Sequence, residues 1–142
     1  MKLMTFILLA GFITTGLFAQ KISLSQVPFL IIKDFNSKYT NAKKVKWVKE
    51  ERNYEVEFML NGKGIDVTYD TIGNWVETLS EIALGELPST VLESINNLFR
   101  NCKITSAARI EQYSSDALYE AEIKFNGRKS IATFDSKGNQ ID

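Results

Sequence analysis

Apolar residues recur at every fourth position in two stretches of this chain. Val27, Ile31, Phe35 and Tyr39 form one series, and Leu87, Val91, Ile95 and Phe99 form the other. That spacing predicts a helix with a single apolar stripe in each stretch. Pro28 and Pro88 stand near the first turn, where a missing N–H costs nothing. Beyond the first helix the period changes to two. Val45, Trp47 and Lys49 share one strand face. In "NYEVEFML", Tyr54, Val56, Phe58 and Leu60 alternate with Glu55, Glu57 and Met59, as in a half-buried strand. Asn61-Gly62 predicts a tight hairpin turn. "GIDVTYD" continues with Ile65, Val67 and Tyr69 facing inward, "DTIGN" turns the chain, and a further strand starts at Trp75.

The same plan is written again. Pro28, Ile31, Phe35 and Tyr39 fall on Pro88, Val91, Ile95 and Phe99 at an offset of 60. Further on the offset is 65: Tyr54, Glu55 and Glu57 fall on Tyr119, Glu120 and Glu122, Asn61-Gly62 on Asn126-Gly127, and Gly73-Asn74 on Gly138-Asn139. The extra five residues belong near "QYSSDA" (112–117), where a hairpin loop tolerates them. The last strand of the second copy is cut short or absent, because the sequence stops at Asp142. An amphipathic helix and an antiparallel meander each bury one face, so they bury them on each other. The predicted fold is α+β and two-layered, with tandem helix-plus-antiparallel-meander repeats over 20–82 and 83–142 that share one core.

Alternation sends Glu55 and Glu57, and by equivalence Glu120 and Glu122, to the face away from the helices. They are expected to be solvated there, with Lys44, Lys46 and Asp66 as neighbours. Paired carboxylates are also the machinery of glycoside hydrolysis, but nothing in the sequence marks a pocket or an apolar wall to raise one pKa. Asp70 and Asp135 open turns, and "DVTYDTIGN" and "TFDSKGNQID" do not match a calcium loop. No catalytic, cofactor or metal residue is assigned. Trp75 shares its strand face with Glu77 by strict alternation, which makes it a candidate exposed anchor. The candidate binding surface is therefore Glu55, Glu57, Trp75, Glu120 and Glu122. Trp47 is expected in the core.

Composition narrows the function further. Seventeen basic and seventeen acidic side chains leave no net charge, so nucleic acid is not an expected partner. The chain has no histidine, which excludes Ser-His-Asp and Cys-His catalysis within it. Residues 1–19, "MKLMTFILLAGFITTGLFA", read as a secretory signal peptide with Lys2 ahead of an apolar run, leaving no stable membrane insertion once it is cut. An uncleaved anchor is the alternative. Cys102 is the sole cysteine, so the mature chain has no internal disulfide and relies on its core.

A helix entered through "VP" or "LP", then "YEVEF", "NG" and "YD…GN", in duplicate behind a signal peptide, resembles the PepSY-like, β-lactamase-inhibitor-like family of small exported bacterial proteins. The resemblance spans nearly all of residues 25–142. It implies a two-layer fold of helix-plus-four-strand repeats and a periplasmic or secreted location in a Gram-negative, Bacteroides-type organism. It carries no catalytic residue and no cofactor to transfer. The expected function is that of a non-catalytic binding or interaction module, using the exposed sheet face to hold a periplasmic protein or a small ligand. Inhibition or regulation of a periplasmic hydrolase or peptidase is the alternative.

Overall fold

The computed structural model describes residues 19–113 and 115–141. The proposed export signal over 1–19 lies outside them except for Ala19, which opens a short first strand. Strand β1 (Ala19–Ile22) precedes helix α1 (Phe29–Lys38) and strands β2 (Lys43–Glu50), β3 (Asn53–Leu60), β4 (Lys63–Asp70) and β5 (Trp75–Ile82). Helix α2 (Ser89–Leu98) then leads into β6 (Lys103–Gln112), β7 (Leu118–Phe125), β8 (Arg128–Asp135) and β9 (Gln140–Ile141). The nine strands of the described residues form one antiparallel sheet in sequence order. The last described strand, β9, is two residues long.

Local chemistry explains the elements. Pro28 and Pro88 sit just before the helices, and their carbonyls accept the first N–H groups, from Ile31 and Ile32 and from Val91 and Leu92. The β3–β4 and β7–β8 hairpins turn on Asn61-Gly62 and Asn126-Gly127, all four residues having positive φ, as a two-residue turn of the sheet's own twist demands. Asp70 caps the β4–β5 turn: its Oδ1 accepts the N–H groups of Ile72 and Asn74 at 3.0 and 2.9 Å. Asp135 does the same for Lys137 and Asn139, and the Asn139 hydrogen bonds hold its carboxyl below the usual range. These aspartates are turn residues whose Oδ1 atoms accept from the backbone and whose Oδ2 atoms accept from the side chains of Asn74 and Asn139.

Register shows which residues share a face. One row crosses the sheet as Phe58, Ile65, Ser80, Arg109, Tyr119 and Phe134. Both helices pack on this face, at its two ends. Under α1, Ile31 and Phe35 meet Trp47, Val56, Phe58, Val67 and Tyr69. Phe35 lies edge-on to Trp47 and Phe58, with ring centroids 5.4 and 5.1 Å apart. Under α2, Val91 and Ile95 meet Ala107, Ala121, Ile123 and Phe134. Each buried valine, isoleucine or phenylalanine among them contributes roughly 1.5–3 kcal/mol from area alone. Between the two apolar ends run polar Thr78, Ser80, Arg109 and Glu111, with Arg109 paired to Glu111. Cys102 is half-buried against the second cluster.

A third apolar cluster lies on the opposite face. It consists of Leu79 of β5, Ala108 and Ile110 of β6, and the flanking Leu118 of β7. Leu79 and Ala108 are each 1 % exposed, although the helices pack on the other side. Their neighbours' side chains close over them. This cluster joins β5 to β6, and so couples the stretch 20–82 to the stretch 83–142.

Candidate functional site

The face opposite the helices reads as three rows across the strands. The first runs Val48, Glu55, Thr68, Glu77, Gln112. The second runs Lys46, Glu57, Asp66, Leu79, Ile110, Leu118, Asp135. In the third, Glu81, Ala108, Glu120 and Thr133 follow one another. Acids flank the apolar cluster on its β3–β4 side and through Glu120 on β7.

Besides the turn aspartate Asp135, four acids of this face are partnered, one of them Glu122 in the next row with Ser106 and Ile131. Glu57 accepts from Lys46 Nζ at 3.1 Å, Glu77 from Gln112 Nε2 at 2.9 Å, and Glu81 from the backbone N–H of Gly64 at 3.0 Å. Glu122 accepts from Lys129 Nζ at 2.8 Å and from the Thr105 hydroxyl, and these two hydrogen bonds hold its carboxyl below the usual range. Three others, Glu55, Asp66 and Glu120, take part in no ion pair or side-chain hydrogen bond among the described residues. Burial raises Glu55 to about 8, with Asp66, Glu57, Glu50 and Glu77 adding repulsion. Burial likewise raises Asp66 to about 7, helped by Glu57 and opposed by Lys46. It raises Glu120 to about 7, with Asp66 and Glu77 contributing. All three are thus substantially protonated near neutral pH.

The expectation of a fully solvated glutamate face is corrected in part. Glu57 and Glu122 are ion-paired near the surface, as expected. Glu120 is only 6 % exposed and Glu55 is half-buried, because Val48, Thr68 and the Leu79 cluster fill the space that a flat sheet leaves to water. The apolar wall that the sequence did not reveal is this cluster. Asp66 is the same-face neighbour anticipated, but it repels Glu55 and Glu57 rather than balancing them. Lys44 lies in a bulge of β2 with φ 55°, out of the register that strict alternation gives it.

Trp75 is a second correction. It pairs with Tyr69, while Glu77 pairs with Thr68, so Val76 is an extra residue in β5. The bulge puts Trp75 on the helix side against the first core cluster, with its Nε1–H donated to Thr78 Oγ1 at 2.8 Å. Trp75 is therefore not part of the surface that holds Glu55, Glu57, Glu120 and Glu122. Tyr113, just past β6, is exposed at 80 %, as is Phe29 of α1 at 74 %.

The sequence reading missed Leu79, Ala108, Ile110, Leu118 and Thr68. Leu79 standing between Glu77 and Glu81, and Ile110 between Arg109 and Glu111, were the available signals. Beside Glu120 there is a shallow depression of about 10 Å³, barely enough for one water molecule, lined by Ser106, Ala107, Ala108, Glu120, Glu122 and Ile131. Small-ligand pockets are typically about 300–1,000 Å³. The face is open and holds no deep cleft among the described residues. Among the described residues no group of three or more acids and cysteines is placed to hold a metal ion, and no helix is long and apolar enough to cross a membrane.

A family model described as "putative beta-lactamase-inhibitor-like, PepSY-like" matches residues 17–70 and again 52–142. The chain belongs to this PepSY-like family. Solved structures share the PepSY-like fold at low identity. A protein of Bacteroides eggerthii described as "putative periplasmic" is 17 % identical, with a TM-score of 0.74 over 82 % of this chain and 86 % of that one. A DUF2874 family protein of Bacteroides uniformis is 18 % identical, with a TM-score of 0.73 over 82 % and 87 %. A BLIP-like protein of Bacteroides fragilis is 20 % identical, with a TM-score of 0.66 over 82 % and 84 %. No protein of curated function matches the chain. The PepSY-like likeness thus carries the architecture, and the side chains must carry the function.

Proposed function

We propose that this chain is an exported, periplasmic, non-catalytic binding module built from two tandem repeats, and that it engages a partner protein through the sheet face opposite its helices. The observation that carries this reading is the open side of the sheet itself, where exposed Ile131 and half-buried Met59 and Leu118 stand among the acidic side chains. An apolar centre with a polar surround is the anatomy of a recognition surface. Export is supported by the apolar run at 3–17 behind Lys2, and by the description of the B. eggerthii structure. The absence of histidine and the shallowness of the depression favour recognition over catalysis. The family description favours inhibition of a hydrolase as a second reading, in which the partner is the enzyme inhibited.

Site-specific photo-crosslinking in cells tests the reading. A crosslinking residue at Met59 or Ile131, at the margins of this face, is expected to capture the same discrete partner. The same group at Asn36 or Asn96, on the outer sides of the helices, is expected to capture none. Capture from the helices alone would overturn the assignment of the face. Loss of activity in the captured partner on adding the purified chain would select the inhibitory reading.

A further inference from the structure

We propose, resting on that reading of a partner-binding sheet, that the partner docks an extended acidic segment as a further strand along the outer edge of β8, at Arg128 to Ile131. Two independent observations lead there. The first is an open place in the sheet. Each repeat holds a three-stranded meander between outer strands. β1 lies on β2 as β5 lies on β6, with Ile22 beside Trp47 and Ile82 beside Ala107. On the far side of the first meander, β5 covers β4 from Ile65 to Tyr69. The equivalent of β4 in the second repeat is β8. Among the described residues, β9 covers it at Thr133 and Phe134 alone. The edge from Arg128 to Ile131 has no strand beside it, and all four side chains are exposed. Such an edge is a template for one more strand.

The second observation is a line of like charge that runs into this edge. Lys103 of β6, Lys124 of β7 and Lys129 of β8 are direct cross-strand partners on the open face. Like charges directly opposite one another destabilise a sheet. Glu122, one row further in, answers Lys129. Lys103, Lys124 and Arg128 make no ion pair or side-chain hydrogen bond among the described residues. The next acid of these strands on this face, Glu120, is another row away and buried. The first repeat has Lys43, Met59 and Gly64 at the three positions, so the meander folds without this line of lysines.

Charge complementarity names the occupant. In the first repeat, β5 sets Leu79 opposite Asp66 and Ser80 opposite Ile65, and Glu81 accepts from the Gly64 N–H at 3.0 Å. On β8 the same register sets an apolar residue on Ile131 and an acid on Lys129, and a second acid then meets Arg128. The docking segment therefore reads apolar, any, acid, acid along an antiparallel strand. A second copy of this chain fits poorly. Its outer strand β1 stands in the place of β5, so the same register brings Lys21 against Lys129.

Titration calorimetry and amide hydrogen exchange on the mature chain test this with short capped peptides. One carries Thr-Leu-Ser-Glu-Glu at its centre, and a second has lysine for both glutamates. Two more carry the first sequence methylated on alternate backbone nitrogens, in the two possible phases. The acidic peptide is expected to bind and to slow exchange of β8 amides between 128 and 132. The lysine peptide is expected not to bind. One methylated peptide should bind and the other fail, because an added strand pairs along one of its two edges. R128E/K129E is expected to weaken the acidic peptide about tenfold or more and to bind the lysine peptide instead, a gain that an unfolded variant does not show. K33E, on α1, is expected to change neither. Equal binding of the two methylated peptides, unchanged exchange in β8, or equal affinity of R128E/K129E for the acidic peptide would each overturn the proposal. A dimer in sedimentation that the acidic peptide does not disperse would place a second copy on this edge and overturn it too. A partner crosslinked from Met59, with no binding of the acidic peptide, would sink this inference and leave the binding-module reading standing.

Discussion

Replacing Glu55 by glutamine is expected to stabilise this protein at alkaline pH and to do nothing at acid pH. Glu55 lies between Val48 and Thr68 in the sheet, both buried, and beside Asp66 and Glu57. Burial first and neighbouring acids second raise its pKa from 4.5 to about 8. Below about pH 4.5 both folded and unfolded chains hold the proton, and Glu55 behaves as a neutral group. Between that pH and about 8 the unfolded chain releases the proton while the folded chain keeps it, so stability falls as pH rises. Above about 8 both states are ionised and the loss is complete. A shift of this size corresponds to a ceiling of about 4–5 kcal/mol. Glu55 keeps some contact with water, and Asp66 shares the same repulsion, so about 2 kcal/mol is the expected gain for E55Q at pH 8.5. For a domain of this size that is an increase in Tm of about 8 °C. Thermal melts by circular dichroism from pH 4 to pH 9 provide the assay. Wild type and E55Q should melt together at pH 4 and diverge steadily above pH 5. Parallel profiles, or an E55Q that melts below wild type at pH 8.5, would refute the burial of this carboxyl.

Other perturbations separate the parts of the fold. Leu79→Ala should cost about 2–4 kcal/mol in denaturant unfolding, because Leu79 is 1 % exposed in the third cluster; a cost near zero would mean that this cluster is not packed. Gly138→Ala should cost about 2–4 kcal/mol, since its Cβ would stand 2.5 Å from the Thr90 carbonyl oxygen at a φ of +87°. Gly127→Ala has positive φ but open space, so about 1 kcal/mol is expected, and equal costs at the two glycines would contradict the close approach of α2 to the β8–β9 turn. Glu122→Gln should cost no more than about 1 kcal/mol at pH 7, because its pair with Lys129 is near the surface. Its folded pKa is depressed, so that small contribution is present above the unfolded pKa and is lost as pH falls through the folded value.

What the sequence disclosed was local. The fourfold apolar spacing marked Ile31, Phe35, Val91 and Ile95 as the buried helix residues, and Asn61-Gly62 and Asn126-Gly127 placed two hairpins by backbone conformation alone. The five extra residues near 112–117 appear as two more residues in β6 than in β2 and a loop longer by three. What stayed hidden depended on register and on distant strands. One extra residue at Val76 moved Trp75 across the sheet, and no local pattern separates that bulge from simple alternation. The environment of Glu55 and Glu120 depends on Leu79, Ile110 and Leu118, which come from three different strands. Alternation told correctly which way the glutamates point. It did not tell that this direction is partly filled with apolar side chains.

The central claim is that Glu55, Asp66 and Glu120 are held protonated near neutral pH on a partly buried sheet face. Carboxyl carbon chemical shifts, followed by NMR from pH 3 to pH 10 in the folded protein, measure this directly. Glu55 should titrate near 8, and Asp66 and Glu120 near 7, while Glu122 titrates below the ordinary glutamate value. Ordinary titration of Glu55, Asp66 and Glu120 near pH 4 would contradict it, and would return this face to a fully solvated surface.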